Sequence, residues 1–155
     1  MTTPLGPARV AVPARRVTVV PVLRAGLALL RPALDLLPES TRVGFIGIAR
    51  DERTLLPRGY LESLPDDLAG DEVVLLEVMI ATGGSSLEAL RAVRAAGATR
   101  LRLVGLIAAP EGLAALAAAE PGVPVTVAAI DERLDERGFI VPGLGDAGDR
   151  LYSEG

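Results

Sequence analysis

Glu77-Val78-Met79-Ile80-Ala81-Thr82-Gly83-Gly84-Ser85 is the stretch on which the reading of this chain turns. An apolar run, Val73–Val78, has an acid near its end, turns through Ala-Thr-Gly-Gly-Ser and enters Ser85–Ala96. There Leu87, Leu90, Val93 and Ala96 recur at helical spacing before Gly97, which is placed to stop a helix. The pattern predicts a strand, a glycine turn and a helix. Two adjacent glycines let a backbone approach an anion closely, and their N–H groups, with those of a helix's first turn, can surround a phosphate. The hydroxyls of Thr82 and Ser85 are further donors. The plainer reading is a tight turn with Ser85 as the helix N-cap. Glu77, an acid closing an otherwise apolar strand, shifts the balance toward a ligand site.

Outward from this stretch lie four more apolar runs, Val17–Leu23, Val43–Ala49, Leu101–Ala108 and Val123–Ile130. They are nearly continuous instead of alternating, as in strands buried on both faces. Helical segments are expected at Ala25–Leu37, stopped near Pro38, and at Glu111–Ala119, with Pro110 suited to its first turn. The alternation predicts an α/β fold: one domain, residues 1–155, with a mostly parallel five-stranded sheet flanked by helices. Ligands of such sheets sit at the carboxyl ends of the strands. Two segments break the alternation. Arg50–Pro65 (RDERTLLPRGYLESLP) reads as a loop or hairpin, and Asp131–Arg150 (DERLDERGFIVPGLGDAGDR) is rich in Gly and acid with little periodicity. Long irregular segments in a compact domain are often lids or binding loops.

Composition narrows the chemistry. The chain has 155 residues, half of them apolar but only 3% aromatic, so aliphatic side chains must fill the core. A net charge of −4 and a pI near 4.9 argue against a broad basic surface for nucleic acid. The run Val17–Leu30 is broken by Pro21 and Arg24, and no stretch is long and uncharged enough to span a bilayer. A cytoplasmic protein with no nucleic-acid or membrane partner is expected. The absence of Cys and His excludes thiol nucleophiles, disulfides, Cys/His zinc sites and histidine acid/base catalysis. All 16 basic side chains are Arg. Catalysis is left to carboxylates, Arg, backbone dipoles, hydroxyls or a hard metal such as Mg²⁺.

Two further segments stand out. In Pro21–Leu27, Arg24 sits where an apolar strand meets an apolar helix. A charge there is costly without a partner. An anionic ligand would supply one, and so would a structural ion pair or a snorkelling side chain. Gly143-Leu144-Gly145-Asp146-Ala147-Gly148-Asp149 suits neither strand nor helix interior. It reads either as a loop presenting N–H and C=O groups to a flat polar ligand, or as a solvated C-terminal loop.

Together these segments resemble the uracil phosphoribosyltransferase family, within the Rossmann-like type I phosphoribosyltransferase fold. The resemblance is carried by VPVLRAGL (Val20–Leu27), GIARDERTL (Gly47–Leu55), MIATGGS (Met79–Ser85), AAPEG (Ala108–Gly112), AIDERL (Ala129–Leu134) and GFIVPGLGDAGDR (Gly138–Arg150). It runs from about Thr3 to Leu151, and its PGLGDAGD tail is more specific than its ATGGS loop. It implies that uracil and phosphoribosyl diphosphate give UMP and diphosphate in pyrimidine salvage. It also implies Mg²⁺ held through the substrate, a homo-oligomer, and an allosteric nucleotide such as GTP.

Residue by residue, the resemblance makes Arg24, Arg50 and Asp146 the candidate catalytic residues, the two arginines holding the diphosphate. Phosphoribosyl diphosphate would further contact the stretch Glu77, Val78, Met79, Ile80, Ala81, Thr82, Gly83, Gly84 and Ser85. Within it, Ala81–Ser85 would cradle the 5′-phosphate and Glu77 would face the ribose hydroxyls. Backbone groups of Ile140, Gly145 and Ala147 would read the uracil edge, with Asp146 beside the ribose and Mg²⁺. Arg50–Pro65 would form a closing flap with a C-terminal base-binding loop opposite. Glu77-Val78 stands where the family has Asp-Pro, and Ala49 where it has an aromatic residue. Family members carry a helical segment ahead of the stretch matched at Thr3, so a chain lacking it is expected to expose apolar surface. A non-catalytic sensor of phosphoribosyl diphosphate, or an inactive truncated homologue, is the alternative reading.

Overall fold

The five apolar runs become five parallel neighbours in one sheet. The computed structural model describes residues 2–9, 13–50 and 57–152. A small antiparallel pair, β1 (Thr2–Thr3) and β2 (Gly6–Pro7), precedes the main sheet. Then follow β3 (Val17–Leu23), α1 (Leu27–Leu36), β4 (Arg42–Val43), β5 (Phe45–Arg50), β6 (Pro57–Ser63) and β7 (Glu72–Ile80). The chain continues through α2 (Gly84–Ala95), β8 (Arg100–Ala108), α3 (Pro110–Ala119) and β9 (Val125–Ile130). It closes with β10 (Arg133–Leu134), β11 (Ile140–Val141) and α4 (Ala147–Tyr152). The main sheet runs β6-β5-β3-β7-β8-β9, with β4 also on β3. Every pairing in it is parallel except β5 with β6.

The sheet has more strands than the five expected, for two local reasons. Gly44 splits one expected strand into β4 and β5, its N–H donating to Val19 O at 3.0 Å, an ordinary ladder bond. The segment read as a loop or hairpin returns as β6, antiparallel to β5 with a register shift at Gly47/Ile48. Burial on both faces explains the apolar runs of β3 and β7, where Val19, Val20, Val73 and Leu75 are fully inaccessible and α2 packs Ala89, Leu90 and Val93 against the sheet. The expectation fails toward the β9 edge: β8 alternates between buried and exposed residues, and none of β9 is buried. The helix ends as expected at Gly97 (φ 93°), where Gly97 N–H donates to Arg94 O and Ala98 N–H to Val93 O. Those two bonds make a Schellman cap. Helix α1 is apolar, yet none of its residues is buried and Leu36 is 89% exposed.

A polar clamp holds the amino ends of the strands. Asp71, fully buried just before β7, accepts hydrogen bonds from Thr18 on β3, from Arg16 Nε at 2.9 Å and from Arg42 Nε at 3.1 Å. Burial alone would raise the Asp71 carboxyl, but the bonds from Thr18, Arg42 and Arg16 outweigh it and hold it below the usual range. Arg42 also donates to the carbonyls of Asp66 and Asp67, at 2.9 and 3.0 Å. This is the end of the sheet remote from the ligand loops.

Three local expectations are corrected. The acid does not close its strand: β7 runs on to Ile80, so Glu77 lies three residues inside it. Ser85 is not the cap of α2, because Gly83 occupies that position with φ 81° and Ser85 falls in the first turn. The segment 131–150 is not wholly irregular, since it holds the β10–β11 hairpin and the start of α4. Gly148 is helical despite its low propensity because Asp146 caps the helix, its Oδ1 accepting the Asp149 N–H at 2.9 Å.

Candidate active site

Parallel strands bring the carboxyl ends of β3, β7, β8 and β9 to one edge, and the turns that leave them carry the residues singled out in the sequence. After β7 the chain turns at Ala81, Thr82 and Gly83 and enters α2. A left-handed cap at Gly83 suits glycine and turns the first amides of α2 toward the strand ends. Thr82 is exposed, and its Oγ1 lies 3.4 Å from the Gly84 N–H. Below the turn, Val78 and Ile80 are 4% and 1% exposed, so their side chains belong to the core and only their backbone remains for a ligand. Met79 is half-buried.

Glu77 is buried and accepts a hydrogen bond from Ser86 Oγ on α2. Burial pushes its carboxyl up to about 7, against the opposing pull of the Ser86 hydroxyl. At neutral pH this acid is therefore poised between its two forms.

Arg24 lies in the turn from β3 to α1, after a cis Leu23–Arg24 peptide. The turn is seated directly on the sheet: a Cβ on Gly26 would come within 2.4 Å of Leu76 O and 2.6 Å of Val22 O. From there Arg24 Nη2 donates to Asp149 Oδ1 at 2.6 Å. A Cβ on Gly148 would lie 3.2 Å from Asp146 Oδ1 and 3.8 Å from Arg24 Nη2. Arg24, Asp146 and Asp149 thus converge at the start of α4.

Carboxylates brace the β10–β11 hairpin and the loop that follows it. Asp131, leaving β9, accepts the Gly143 N–H at 3.0 Å, while its own N–H donates to Ala108 O at 2.9 Å. Glu111 Oε1 accepts the Leu134 N–H at 3.0 Å. Asp135 Oδ1 accepts from Arg137 and Phe139 N–H, at 2.9 and 2.8 Å, closing the hairpin turn. Ile140 is 3% exposed and offers a ligand only its backbone. Gly145 is exposed with φ 78°, and Ala147 is buried at the first position of α4. Arg50 ends β5 opposite Pro57, but its side chain and residues 51–56 lie outside the described residues. Of the segment expected to form a flap, the described residues show the antiparallel β5–β6 pair.

Sequence reasoning missed four partners at this edge: Ser86, Asp149, Asp131 and Glu111. Three of them stood within quoted motifs, GDAGDR, AIDERL and AAPEG, but nothing in their spacing announced what each would hold. Ser86 followed the glycine turn by one position past the last residue considered. Among the described residues no group of three or more Asp or Glu side chains could hold a metal alone, and no helix is long and apolar enough to cross a membrane.

A glycine turn at a helix start, an arginine in the turn after a neighbouring strand and a carboxylate-braced loop make an edge suited to a phosphorylated ligand. Known proteins resemble the chain in sequence and in fold. The chain is 48% identical over 153 residues to the uracil phosphoribosyltransferase of Roseiflexus castenholzii, covering 99% of this chain and 73% of that protein. It is 49% identical over 138 residues to the enzyme of the same name from Clostridium acetobutylicum, covering 89% of this chain and 66% of the relative. A solved structure from Aquifex aeolicus superimposes with a TM-score of 0.92 at 42% identity, covering 99% of this chain and 73% of that one. A purine phosphoribosyltransferase from Pyrococcus horikoshii, 18% identical with a TM-score of 0.60 over 75% of this chain and 71% of its own, shares the fold. The family described as uracil phosphoribosyltransferase matches residues 1–153, and the chain belongs to it.

Proposed function

We propose that the chain transfers the phosphoribosyl group of phosphoribosyl diphosphate to uracil, releasing UMP and diphosphate in pyrimidine salvage. The observation that carries this reading is the convergence of Arg24 and Asp146 at the edge where the Ala81–Ser85 turn opens α2, in a chain of this family. Uracil N1 forms a bond to the anomeric carbon as the bond from that carbon to the diphosphate oxygen breaks. The bonding pair leaves with diphosphate, and the N1 proton passes to solvent or to the departing group. Positive charge develops on the ribose while negative charge gathers on the leaving group, where the Arg24 guanidinium lies to meet it. Arg50 is assigned the same task from the flap side. The amides of Ala81–Ser85 would hold the 5′-phosphate, and Glu77 the ribose hydroxyls once its carboxyl turns from Ser86. Backbone groups at Ile140, Gly145 and Ala147 would read the base edge, rejecting cytosine by its reversed donor and acceptor pattern. Holding both reactants in line supplies much of the acceleration.

The donors present fit Mg²⁺. This cation is commonly held by one or two carboxylates together with substrate phosphates, and Asp146 and Asp149 are exposed at the convergence point. When bound with the substrate, it would neutralise charge on the diphosphate. A homo-oligomer belongs to this reading because α1 is apolar but unburied, with Leu27 40% and Leu36 89% exposed. So do a cytoplasmic location and regulation by a nucleotide such as GTP.

The test is UMP formation by purified protein from uracil, phosphoribosyl diphosphate and Mg²⁺, with cytosine as control and GTP added in parallel. Product from uracil alone supports the reading, and no turnover with either base sinks it. The second reading, a non-catalytic sensor, is favoured by the Glu77 carboxyl being bonded inward to Ser86. It requires binding of phosphoribosyl diphosphate without turnover.

A further inference from the structure

The first turn of α3 touches both halves of the candidate site. On the phosphate side, Ala109 N–H donates to Ile80 O at 2.9 Å, tying the start of α3 to the end of β7. Gly112 lies so close to the glycine turn that a Cβ there would meet Ala81 O at 2.2 Å and Ile80 O at 3.0 Å. The reverse contact is equally close: a Cβ on Gly83 would stand 3.0 Å from Gly112 O. On the base side, the neighbouring Glu111 accepts the Leu134 N–H at 3.0 Å. Leu134 pairs with Ile140 across the β10–β11 hairpin, and this hairpin leads into Gly143, whose N–H is held by Asp131.

We propose that Glu111 and Gly112 act as adjacent positioning residues, one for each half of the site. Gly112 seats the phosphate turn by its lack of a side chain, and Glu111 fixes the hairpin that presents the base loop. Their adjacency sets the separation between phosphate cradle and base loop, which the nucleotide product must span. The bond from Leu134 also holds the Glu111 carboxyl below its usual range, as expected for a carboxylate facing an amide donor. Glu111 is exposed, so its replacement leaves the core untouched.

The proposal rests on the phosphoribosyl-transfer reading, and two measurements on the full chain separate their fates. Steady-state kinetics of Glu111→Ala should show KM for uracil raised about tenfold, with KM for phosphoribosyl diphosphate within about twofold of the parent, as for loss of one positioning hydrogen bond. Glu111→Gln keeps an Oε1 acceptor and should restore most of the loss. Gly112→Ala should raise KM for phosphoribosyl diphosphate instead. Amide hydrogen exchange needs no turnover: in Glu111→Ala, exchange at Leu134 and along the hairpin to Gly143 should accelerate, with α2 unchanged. Unchanged exchange at those amides, or an equal rise in both KM values that Gln does not rescue, overturns the proposal. A parent chain making no UMP would sink the transfer reading, and the exchange result would still decide the positioning role.

Discussion

Arg24 and Asp149, 125 residues apart in sequence, meet in a 2.6 Å hydrogen bond from Nη2 to Oδ1. Both side chains are more than half exposed, at 52% and 62%, so the bond is screened and weak in itself. In the phosphoribosyl-transfer reading proposed above, the diphosphate of the substrate would meet the same guanidinium, and Asp149 would compete with it.

Asp149→Asn should therefore strengthen binding of diphosphate measured without divalent cation, by about two- to fivefold, the scale of an exposed ion pair. Calorimetric titration of diphosphate into parent and variant reads this directly. Weaker binding by the variant would mean that Asp149 orients Arg24 instead of competing for it.

Removing the guanidinium should cost far more. Arg24→Ala is expected to lower kcat/KM by about 10²–10³, the scale of losing one donor aimed at developing charge. Arg24→Lys should recover little, because an ammonium cannot reproduce the planar fork. An Arg24→Ala enzyme retaining parental kcat/KM in the UMP assay would remove Arg24 from the chemistry.

Glu77 predicts a stability that falls with pH. Burial disfavours the charge and pushes its folded carboxyl up to about 7 from the ordinary 4.5. Between those values the folded chain keeps a proton that the unfolded chain has released, so stability declines as pH rises through that window and levels off above it. The full decline is about 3 kcal/mol. Urea unfolding from pH 5 to 8 should show this slope in the parent and its loss in Glu77→Gln, which can still accept from Ser86.

At the other end of the sheet, Asp71→Ala should lower stability by about 3 kcal/mol, since it removes the shared acceptor of Thr18, Arg16 and Arg42. The folded fraction should keep its kcat, because the clamp lies far from the ligand loops. Thermal melts paired with kinetics below the melting range would test both halves of this expectation.

How much could be read in the sequence follows from how local each cause is. Val17–Leu23 was legible to the residue, because a strand buried on both faces needs continuous apolar side chains. Arg100–Ala108 was legible to within one residue although its burial alternates, since its exposed face also carries the apolar Leu106. The end of α2 was legible from Gly97 alone. Helix α4 was not, because its formation depends on one cap at Asp146 that outweighs the low propensity of Gly148. Arg24 and the glycine turn could be singled out from their own neighbours, whereas Asp149 could not be assigned to Arg24 without knowing that α4 packs beside the β3–α1 turn. The inward turn of Glu77 was equally hidden, since Ser86 reaches it only after α2 folds back on β7.

The Asp71 clamp and the ligand loops occupy opposite poles of β7, separated by its nine residues, about 30 Å of extended chain. Such a division makes the molecule modular in the engineer's sense. The Asp71 clamp anchors stability at one pole, and in the proposed function the choice of acceptor base falls to the loop at the other. Loop grafts between Gly143 and Asp146 can then be screened for new acceptors without re-optimising the scaffold that carries them.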